Sequence, residues 1–550
     1  MDPRYSVEQH ITLKRVSSIA PSPDGTWLAV AVQRLDREGT KYASDLWKVP
    51  TDGSAPLQLT RGDSKDAAPC FRPDGALGFL SNRQPNEIKP DEDAEKRMQV
   101  WLLPAGGGEP RQLTDEPLGV EAFLFARSAD RLVLLAPVLT GVEASKQREV
   151  EAERRKKGSS ARKYTGQPVR HWDQWLHEDV ARPNTHVIAY DVDGTGRRDL
   201  TPEARRELAI DPDFDVSRDG THVAVTWQTV GADRELDTAI LLIDIERGTS
   251  RLLGAGACTN NESPHFAPDG SALAVIRSTR SAERLGRPML SLIDTADGTI
   301  AEITAQLDVW PNIGDWSADG KRLYVSADHG GQVPVFTVDV ATHGVERITR
   351  RESAGGHSDL HVLADGRIAG VRSTFLEPPE AFVVQPEPDA PPQTLARLSG
   401  FAVPDWAVVE NCVVKSTDGA DVQYFVVRPK AEGRHPVLLW IHGGPIGMTA
   451  DAWHWRWNPL LAVAQGYTVV QPNPRGSTGF GQQFVEGIWG NVWGDQCYRD
   501  LMAVTDAVGR RPDVDRDRMM AMGGSFGGYM TNWIGTQTAR FRCLITHACR

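Results

Sequence analysis

The stretch Gly523-Gly524-Ser525-Phe526-Gly527-Gly528 decides how the second half of this 550-residue chain folds. A short apolar run at 518–522 precedes it, and residues 529–537 after it are typical of a helix. A serine on a sharp strand-to-helix turn needs small residues two positions before and after it, because the turn brings the two backbones close together. The serine hydroxyl then projects above the sheet, and the N–H groups at the helix start favour a developing oxyanion. The pattern therefore predicts that the Ser525 hydroxyl is accessible and can take part in a reaction.

The residues before this motif indicate the domain around it. A continuous apolar run at 436–441 leads into His442-Gly443-Gly444-Pro445, which we interpret as a candidate oxyanion loop. A run that is apolar on both faces is typical of a central parallel strand. A second strand is predicted at 468–470, and helices are predicted at 452–465, with a break at Pro459, and at 500–509. Alternating strands and helices predict a doubly wound α/β domain.

A different pattern fills the chain before the α/β domain. A turn ending in Asp-Gly, followed by an apolar β-branched run, recurs seven times, with Asp at positions 24, 74, 130 (where Gly is missing), 219, 269, 319 and 365. Asp-Gly between apolar runs is a strong hairpin signal, because glycine accepts the positive φ of a tight turn. The intervals of 46–56 residues, with one of 89, fit four-stranded blades. A stacked array of β-sandwiches would not be expected to keep such a period. We predict a seven-bladed β-propeller over 1–385, a proline-rich linker over 386–403, and the α/β domain over 404–550.

The long interval contains an insertion at 142–164 that is rich in charged residues. We expect a solvated helical excursion from the third blade, although a partner-binding or entrance-lining role stays open. The stretch Arg170-His171-Trp172-Asp173-Gln174-Trp175 follows it, and we expect its tryptophans to pack where the chain re-enters the blade.

Composition excludes several classes of function. With 61 Lys and Arg against 73 Asp and Glu, the net charge of −12 argues against nucleic acid as the main partner. No apolar run is long enough to span a membrane, and residues 1–8 do not resemble a signal peptide, so we expect a cytoplasmic protein without a membrane partner. The six cysteines lack metal-ligand spacing and are interpreted as reduced thiols. We expect no metal and no organic cofactor, and homo-oligomerisation stays open.

A propeller joined to a C-terminal α/β-hydrolase domain resembles the prolyl oligopeptidase family of serine peptidases over nearly the whole chain. The His442–Pro445 loop, the segment 473–479 (Asn-Pro-Arg-Gly-Ser-Thr-Gly) and the Ser525 motif look most like the acylaminoacyl peptidase branch. Residues 170–175 are similar to dipeptidyl-peptidase-5-like members of that branch. The resemblance implies that Ser525 is the nucleophile and that the Phe526 N–H is one oxyanion donor. Other members use a tyrosine hydroxyl as the second donor; Phe480 holds that place here, so the Gly444 N–H is the expected donor.

A serine nucleophile needs a histidine base oriented by a carboxylate, and in α/β-hydrolases these follow the serine in the order Asp, His. Only 25 residues follow Ser525, and His547 comes too early to be the base. We therefore expect the triad Asp and His to lie outside residues 1–550. The sequence then represents the front part of a longer enzyme, and residues 1–550 alone should not turn over substrate.

The resemblance implies hydrolysis of short peptides through an acyl-enzyme on Ser525, of the acylaminoacyl or dipeptidyl exopeptidase type or of the oligopeptidase type, with the propeller restricting access to small substrates. Two alternatives stay open: an esterase acting on small acyl esters, and a non-catalytic propeller scaffold with an incomplete hydrolase domain. The propeller argues against the esterase, and the intact Ser525 motif argues against the scaffold. Neither the residue specificity nor a preference for acylated or free N-termini is predicted.

Overall fold

The computed structural model describes residues 5–84, 97–157, 164, 167–171, 174–176, 182–281, 285–350, 355–490 and 493–549. Helix α1 (Val7–Thr12) comes first, and seven four-stranded antiparallel sheets follow it. The first two sheets consist of β1 (Arg15–Pro21), β2 (Trp27–Leu35), β3 (Tyr42–Pro50), β4 (Leu57–Gln58), and of β5 (Asp66–Phe71), β6 (Leu77–Ser81), β7 (Gln99–Leu103), β8 (Arg111–Gln112).

The third sheet contains the insertion between its second and third strands. In chain order this region has β9 (Ala122–Phe125), β10 (Arg131–Val138), α2 (Gln147–Lys157), the hairpin β11 (Arg170–His171) and β12 (Gln174–Trp175), then β13 (Asn184–Asp191) and β14 (Arg198–Asp199). The Arg170 guanidinium lies over the Trp175 ring, 5.3 Å from the ring centroid. The Trp175 side chain is 43% exposed. The predicted packing of Trp172, and the role of Asp173, lie outside the described residues.

The remaining four sheets follow in sequence order. They consist of β15 (Phe214–Val216), β16 (His222–Val230), β17 (Leu236–Asp244), β18 (Thr249–Leu253); β19 (Thr259–Phe266), β20 (Ala272–Thr279), β21 (Met289–Asp294), β22 (Ile300–Glu302); β23 (Pro311–Trp316), β24 (Arg322–Ala327), β25 (Val335–Asp339), β26 (Val345–Arg347); and β27 (Gly356–Val362), β28 (Ile368–Ser373), β29 (Glu380–Val384), β30 (Gln393–Thr394). The first strand of each sheet contacts the first strands of the two neighbouring sheets around a closed ring. The seven-bladed propeller predicted from the sequence is therefore confirmed.

The recurring Asp-Gly turn joins the first two strands of a blade. In the first blade the Asp24 carboxylate accepts hydrogen bonds from the Ser22 hydroxyl at 2.6 Å and from the Thr26 N–H at 3.1 Å. Gly25 follows with a φ of +71° and donates its N–H to the Ser22 carbonyl at 2.8 Å. The turn thus needs an acceptor side chain and then a residue that tolerates positive φ.

Apolar side chains fill the space between each pair of neighbouring sheets. One such cluster closes the ring by joining the first sheet, through Val16 and Leu28, to the seventh sheet, through Ala369 and Val371. All strands of the first sheet precede all strands of the seventh in sequence, so no strand is shared between them. Ring closure therefore depends on side-chain packing, with added hydrogen bonds such as that from the Ile19 N–H to the Asp359 carboxylate at 2.8 Å.

A salt bridge crosses the middle of the ring. Arg127 follows β9 in the third sheet, and its guanidinium lies 3.3 Å from the carboxylate of Asp315 on β23 in the sixth sheet. The same carboxylate accepts the Val362 N–H of the seventh sheet at 3.1 Å. Burial alone would raise the pKa of Asp315, but Arg127 and the nearby His361 hold it below its ordinary value. Both bridge residues adjoin the first-to-second-strand turns of their blades, so the bridge lies at the end of the ring away from the C-terminal domain.

The C-terminal region forms one six-stranded sheet with the order β31-β32-β34-β33-β35-β36. Its strands are β31 (Ala407–Lys415), β32 (Asp421–Pro429), β33 (His435–Ile441), β34 (Thr468–Asn473), β35 (Val514–Gly524) and β36 (Cys543–His547), of which the last four are mutually parallel. Its helices are α3 (Pro459–Ala464), α4 (Gln482–Glu486), α5 (Trp493–Gly509) and α6 (Phe526–Gln537). Apolar clusters lie on both faces, one against α5 and α6 and the other against α3. The predicted α/β domain is confirmed; in the described ranges, no helix is both long and apolar enough to cross a membrane.

Three local features differ from the sequence predictions. The prediction of a helix at 452–465 was wrong for the first half of that range, because α3 begins only at Pro459. The Asn458 side chain accepts the Leu460 N–H at 2.9 Å and caps the helix there. The helix predicted at 500–509 begins earlier, at Trp493. Strand β30 belongs to the seventh blade although it falls in the segment predicted as a linker.

The segment before the propeller also differs from its predicted place. Tyr5 packs edge-on against Phe401 and Trp453, with ring centroids 5.3 Å and 6.5 Å apart. A His10 ring nitrogen lies 2.8 Å from the Trp455 carbonyl. Residues 5–12 therefore pack on the C-terminal domain, whereas the sequence assigned them to the propeller.

Candidate active site

Ser525 lies at the tip of a strained turn between β35 and α6. Its φ of 55° and ψ of −121° are unusual for a residue with a side chain, and such a conformation costs about 1–3 kcal/mol. Two backbone hydrogen bonds hold it: the Ser525 N–H donates to the His547 carbonyl at 2.9 Å, and its carbonyl accepts the Tyr529 N–H at 3.0 Å. The serine side chain is exposed, as a nucleophile must be.

The flanking glycines are required by the close approach of strand and helix. A Cβ on Gly527 would lie 2.1 Å from the Ile441 carbonyl oxygen, and one on Gly523 would lie 2.4 Å from the Gly527 backbone. A Cβ on Gly528 would come within 2.9 Å of the His547 carbonyl, whereas one on Gly524 would meet nothing nearer than 3.6 Å. The prediction that small residues are needed two positions before and after the serine therefore has a direct steric basis.

The His442–Pro445 loop lies directly beside the serine. A Cβ on Gly443 would be 3.4 Å from the Ser525 Cβ, and Gly444 has a φ of +126° and is exposed. Among the described residues, neither the Gly444 N–H nor the Phe526 N–H donates to a protein acceptor. Both N–H groups are thus available to a bound ligand, and their role as oxyanion donors stays a prediction.

His442 is part of the loop scaffold. Its Nδ1 lies 2.6 Å from the Gly443 carbonyl oxygen, and its Nε2 lies 3.0 Å from the hydroxyl oxygen of Ser477, which donates to the Pro474 carbonyl at 2.6 Å. Burial lowers its pKa, which keeps the ring neutral. Because both ring nitrogens are occupied, His442 holds the loop in place and has no lone pair directed at Ser525.

The loop after β34 supports the His442 loop, and sequence analysis assigned it no role beyond resemblance. The Asn473 side chain accepts the Thr449 N–H at 2.7 Å, and the Thr478 N–H donates to the Gly447 carbonyl at 3.1 Å. Arg475 anchors this loop by donating from Nη2 to the fully buried carboxylate of Asp500 on α5 at 2.6 Å. The signal for this pair would be an arginine followed by an aspartate that is buried on a helix. The spacing of the two residues in the sequence does not show that the aspartate is buried.

Phe480 follows this loop, at the place where related enzymes were expected to have tyrosine. Its ring packs against Phe484 with centroids 5.3 Å apart. It contributes an apolar contact and no hydrogen-bond donor.

Ser525 opens into a cavity of about 670 Å³ that is lined mainly by the C-terminal domain. The serine, the His442 loop, the segment 448–457 and Phe375 from the propeller line it. His547 lies at the end of β36 in the same cavity, with its ring centroid 5.4 Å from that of Trp457. Within the described part of the chain, no side chain hydrogen-bonds to the Ser525 hydroxyl, and no group of three or more His, Cys, Asp or Glu side chains is arranged to hold a metal ion.

A second, apolar cavity of about 540 Å³ lies on the other side of the same loop. Pro445 and Ile446 form the wall shared with the loop, and Trp489, Trp493 and Tyr529 form the opposite wall. Trp493 also packs edge-on against Phe526, with centroids 5.4 Å apart. The residue after the serine is thereby fixed by aromatic packing.

Comparison with known proteins shows which proteins this chain is similar to. Residues 453–549 match the model of the prolyl oligopeptidase family. Dipeptidyl-peptidase 5 of Porphyromonas gingivalis is 29% identical over 98% of this chain and 78% of that protein, and dipeptidyl-peptidase 5 of Aspergillus fumigatus is 28% identical over the same shares. Among solved structures, the Pyrococcus horikoshii acylaminoacyl peptidase superposes with a TM-score of 0.75 at 16% identity, covering 99% of this chain and 79% of that one.

A puromycin-hydrolysing peptidase of Mycobacterium tuberculosis has the same fold, with a TM-score of 0.64 at 15% identity, covering 99% of this chain and 79% of that one. These structural matches confirm the fold, and the sequence matches confirm the resemblance drawn from the Ser525 and His442 motifs. The chain is therefore similar over nearly its whole length to serine peptidases of the prolyl oligopeptidase family, whose model matches residues 453–549.

Proposed function

We propose that this peptidase cleaves short peptides through an acyl-enzyme on Ser525. The observation that carries the proposal is the strained, exposed serine with two unused N–H groups beside it. The Ser525 hydroxyl oxygen attacks the scissile carbonyl carbon and its proton passes to a general base. The carbonyl oxygen becomes an oxyanion that accepts from the N–H groups of Phe526 and Gly444.

Collapse of this intermediate breaks the peptide bond and releases the amine, which takes the proton from the base. Water then attacks the ester on Ser525 and releases the acyl part of the peptide. Donors that are fixed before the reaction stabilise the oxyanion without reorganising, and loss of one such donor typically costs about 10²–10³ in kcat. The family match supports a peptidase over the esterase and scaffold alternatives.

We propose that the propeller limits substrates to short peptides. Its loops contact the loops of the site directly: the Gly330 N–H donates to the Gly479 carbonyl at 3.0 Å, and the Asp451 N–H donates to the Gly331 carbonyl at 2.8 Å. Phe375 of the seventh blade lines the Ser525 cavity. Because the propeller borders the cavity at Phe375, a bulky folded protein would meet the propeller when it approached the serine.

We propose a reducing, cytoplasmic environment for the protein. All six cysteines are unpaired, which supports this location because paired cysteines are the rule in oxidising compartments. Cell fractionation followed by alkylation of free thiols before and after reduction tests it. Equal thiol counts in the cytoplasmic fraction are expected, and recovery from an oxidising compartment with fewer free thiols would contradict it.

Replacement of Ser525 by alanine tests the nucleophile. In a form of the protein that includes the triad base, we expect turnover of a chromogenic peptide to fall by about 10⁴–10⁶ and labelling by a fluorophosphonate to disappear. Ser54→Ala, in an exposed turn of the first blade, is the matched control and should behave like the unchanged protein. Activity that survives Ser525→Ala, or that a chelator abolishes, would contradict the proposal.

A substrate series tests the size limit. We expect kcat/KM to fall steeply as peptides lengthen beyond about 30 residues, and native folded proteins to remain uncut. The same proteins, unfolded and digested to short peptides beforehand, are the control and should be cut. Rapid digestion of a native globular protein would show that the propeller does not limit access.

A further inference from the structure

The cavity that contains Ser525 carries positive charge without a matching negative one. Its titratable lining side chains in the described ranges are Arg456 and three histidines, His442, His454 and His547, and no carboxylate lines it there. Partial burial and the neighbouring Arg456 lower the pKa of His454, and burial lowers that of His442, which favours the neutral form of both rings. Arg456 is thus the charged group that a bound peptide meets.

The Arg456 guanidinium lines the same cavity as Ser525 and has no ionic partner in the described part of the chain. It lies over the ring of Trp457, 5.1 Å from the ring centroid. That ring extends to the serine turn, where a Cβ on Gly524 would be 3.6 Å from it, and it packs edge-on against the His547 ring. A guanidinium over an aromatic face keeps its N–H donors directed outward in the ring plane. Arg456 therefore presents free donors one ring away from Ser525.

A side chain of the same loop holds the backbone that carries Arg456. The His454 Nδ1 accepts the N–H groups of Arg456 at 3.1 Å and of Trp457 at 2.9 Å. Neutral His454 thus fixes the backbone of the arginine, and the side chain remains exposed to the cavity.

Two carboxylates on the segments around the cavity are paired with other groups. Asp451 accepts the Phe375 N–H at 2.8 Å, and burial raises its pKa. Glu377 is paired with Arg372 at 3.3 Å and with Arg397 at 2.9 Å. A peptide ammonium in the cavity would face Arg456 without a carboxylate beside it, which is unfavourable for a desolvated charge.

We propose that Arg456 is a specificity-determining residue that donates hydrogen bonds to an acyl carbonyl oxygen of the substrate and selects N-acylated peptides over peptides with a free N-terminal ammonium. This inference rests on the proposed function of Ser525, whose cavity Arg456 shares. A hydrogen bond to a charged group is worth about 10- to 100-fold in affinity, so the preference should be of that size.

The test compares binding of glycyl-phenylalanine p-nitroanilide and its N-acetyl derivative by calorimetry. The protein carries Ser525→Ala so that neither compound is cleaved, and it is compared with the same protein carrying Arg456→Glu. Arg516→Glu is the matched control: it makes the same charge change on an exposed residue at the other end of β35. Thermal unfolding of all variants checks that each is folded.

We expect the N-acetyl compound to bind about 10- to 100-fold more tightly with Arg456 in place, the order to reverse with Arg456→Glu, and Arg516→Glu to change nothing. An equal ratio in the Arg456→Glu and Arg516→Glu proteins, or no measurable binding of either compound at millimolar concentrations, would overturn the proposal. Turnover is measured separately with Ser525 present, so failure of the nucleophile assignment is seen independently of the binding ratio.

Discussion

The pair between Arg475 and Asp500 allows a quantitative test of what holds the site together. Asp500 is fully buried and accepts four hydrogen bonds: from the Arg475 backbone N–H at 2.9 Å, from its Nε at 3.0 Å and Nη2 at 2.6 Å, and from the Ser416 hydroxyl at 2.6 Å. Replacing Arg475 by methionine removes the two guanidinium donors and leaves a buried carboxylate uncompensated. At about 1.5–3 kcal/mol for each charged hydrogen bond, we expect the free energy of unfolding to fall by about 3–5 kcal/mol.

A double-mutant cycle in urea measures this effect. In an Asp500→Asn background the same Arg475→Met change should cost less than about 1 kcal/mol, because no buried charge remains to be compensated. Arg499→Met, on the exposed side of α5 where the arginine pairs with Asp495, is the control and should cost at most about 0.5 kcal/mol. Because the two domains can unfold separately, hydrogen exchange of the α5 amides reports the affected domain. If Arg475→Met costs no more than Arg499→Met, the buried-charge argument is refuted.

Two further predictions concern the propeller. His357 is buried, its Nδ1 donates to the Val333 carbonyl at 2.8 Å, and its Nε2 has no partner among the described residues; burial lowers its pKa to about 4. The unfolded chain therefore binds the proton first as the pH falls through about 6.5, and stability should drop by about 2 kcal/mol between pH 7 and 5. His357→Gln should remove this part of the pH dependence, whereas His343→Gln, on an exposed turn, should keep it; parallel pH profiles for the two variants would contradict the prediction. Arg127→Met should lower the free energy of unfolding by about 1–2 kcal/mol, because the buried Asp315 loses its cation. The loss is small because the Arg127 guanidinium is exposed and solvent partly screens its charge. Thermal unfolding measures this, and an unchanged midpoint would show that the bridge across the ring contributes nothing.

The sequence predicts the parts of the structure that follow from local rules. Gly25 and its counterparts are needed because a hairpin turn requires positive φ, and Gly527 is needed because the helix approaches the Ile441 carbonyl. The hairpin turns and the strand-to-helix turn around Ser525 each have a pattern of a few consecutive residues, so the number of blades and the serine turn could be predicted.

Contacts between distant segments could not be predicted in this way. Residues 452–457 have a helix-like pattern, but Trp453 packs with Tyr5 and Phe401, and the Asn458 cap starts α3 only afterwards. The burial of Asp500 against Arg475 likewise depends on how α5 packs on the sheet. The unpaired Arg456 is not marked by any motif, and its importance appears only once the cavity is seen to lack a carboxylate among its described residues.

The closure of the ring without a shared strand has a consequence for its opening. The chain enters the ring after Tyr5 and Leu13 and leaves it before Phe401 and Trp406, and these four side chains belong to one apolar cluster on the C-terminal domain. The first and seventh sheets are therefore tethered at both ends to the same surface. If they separate, each remains at a high effective concentration relative to the other, so reclosure is intramolecular and its equilibrium depends on how firmly α1 stays docked.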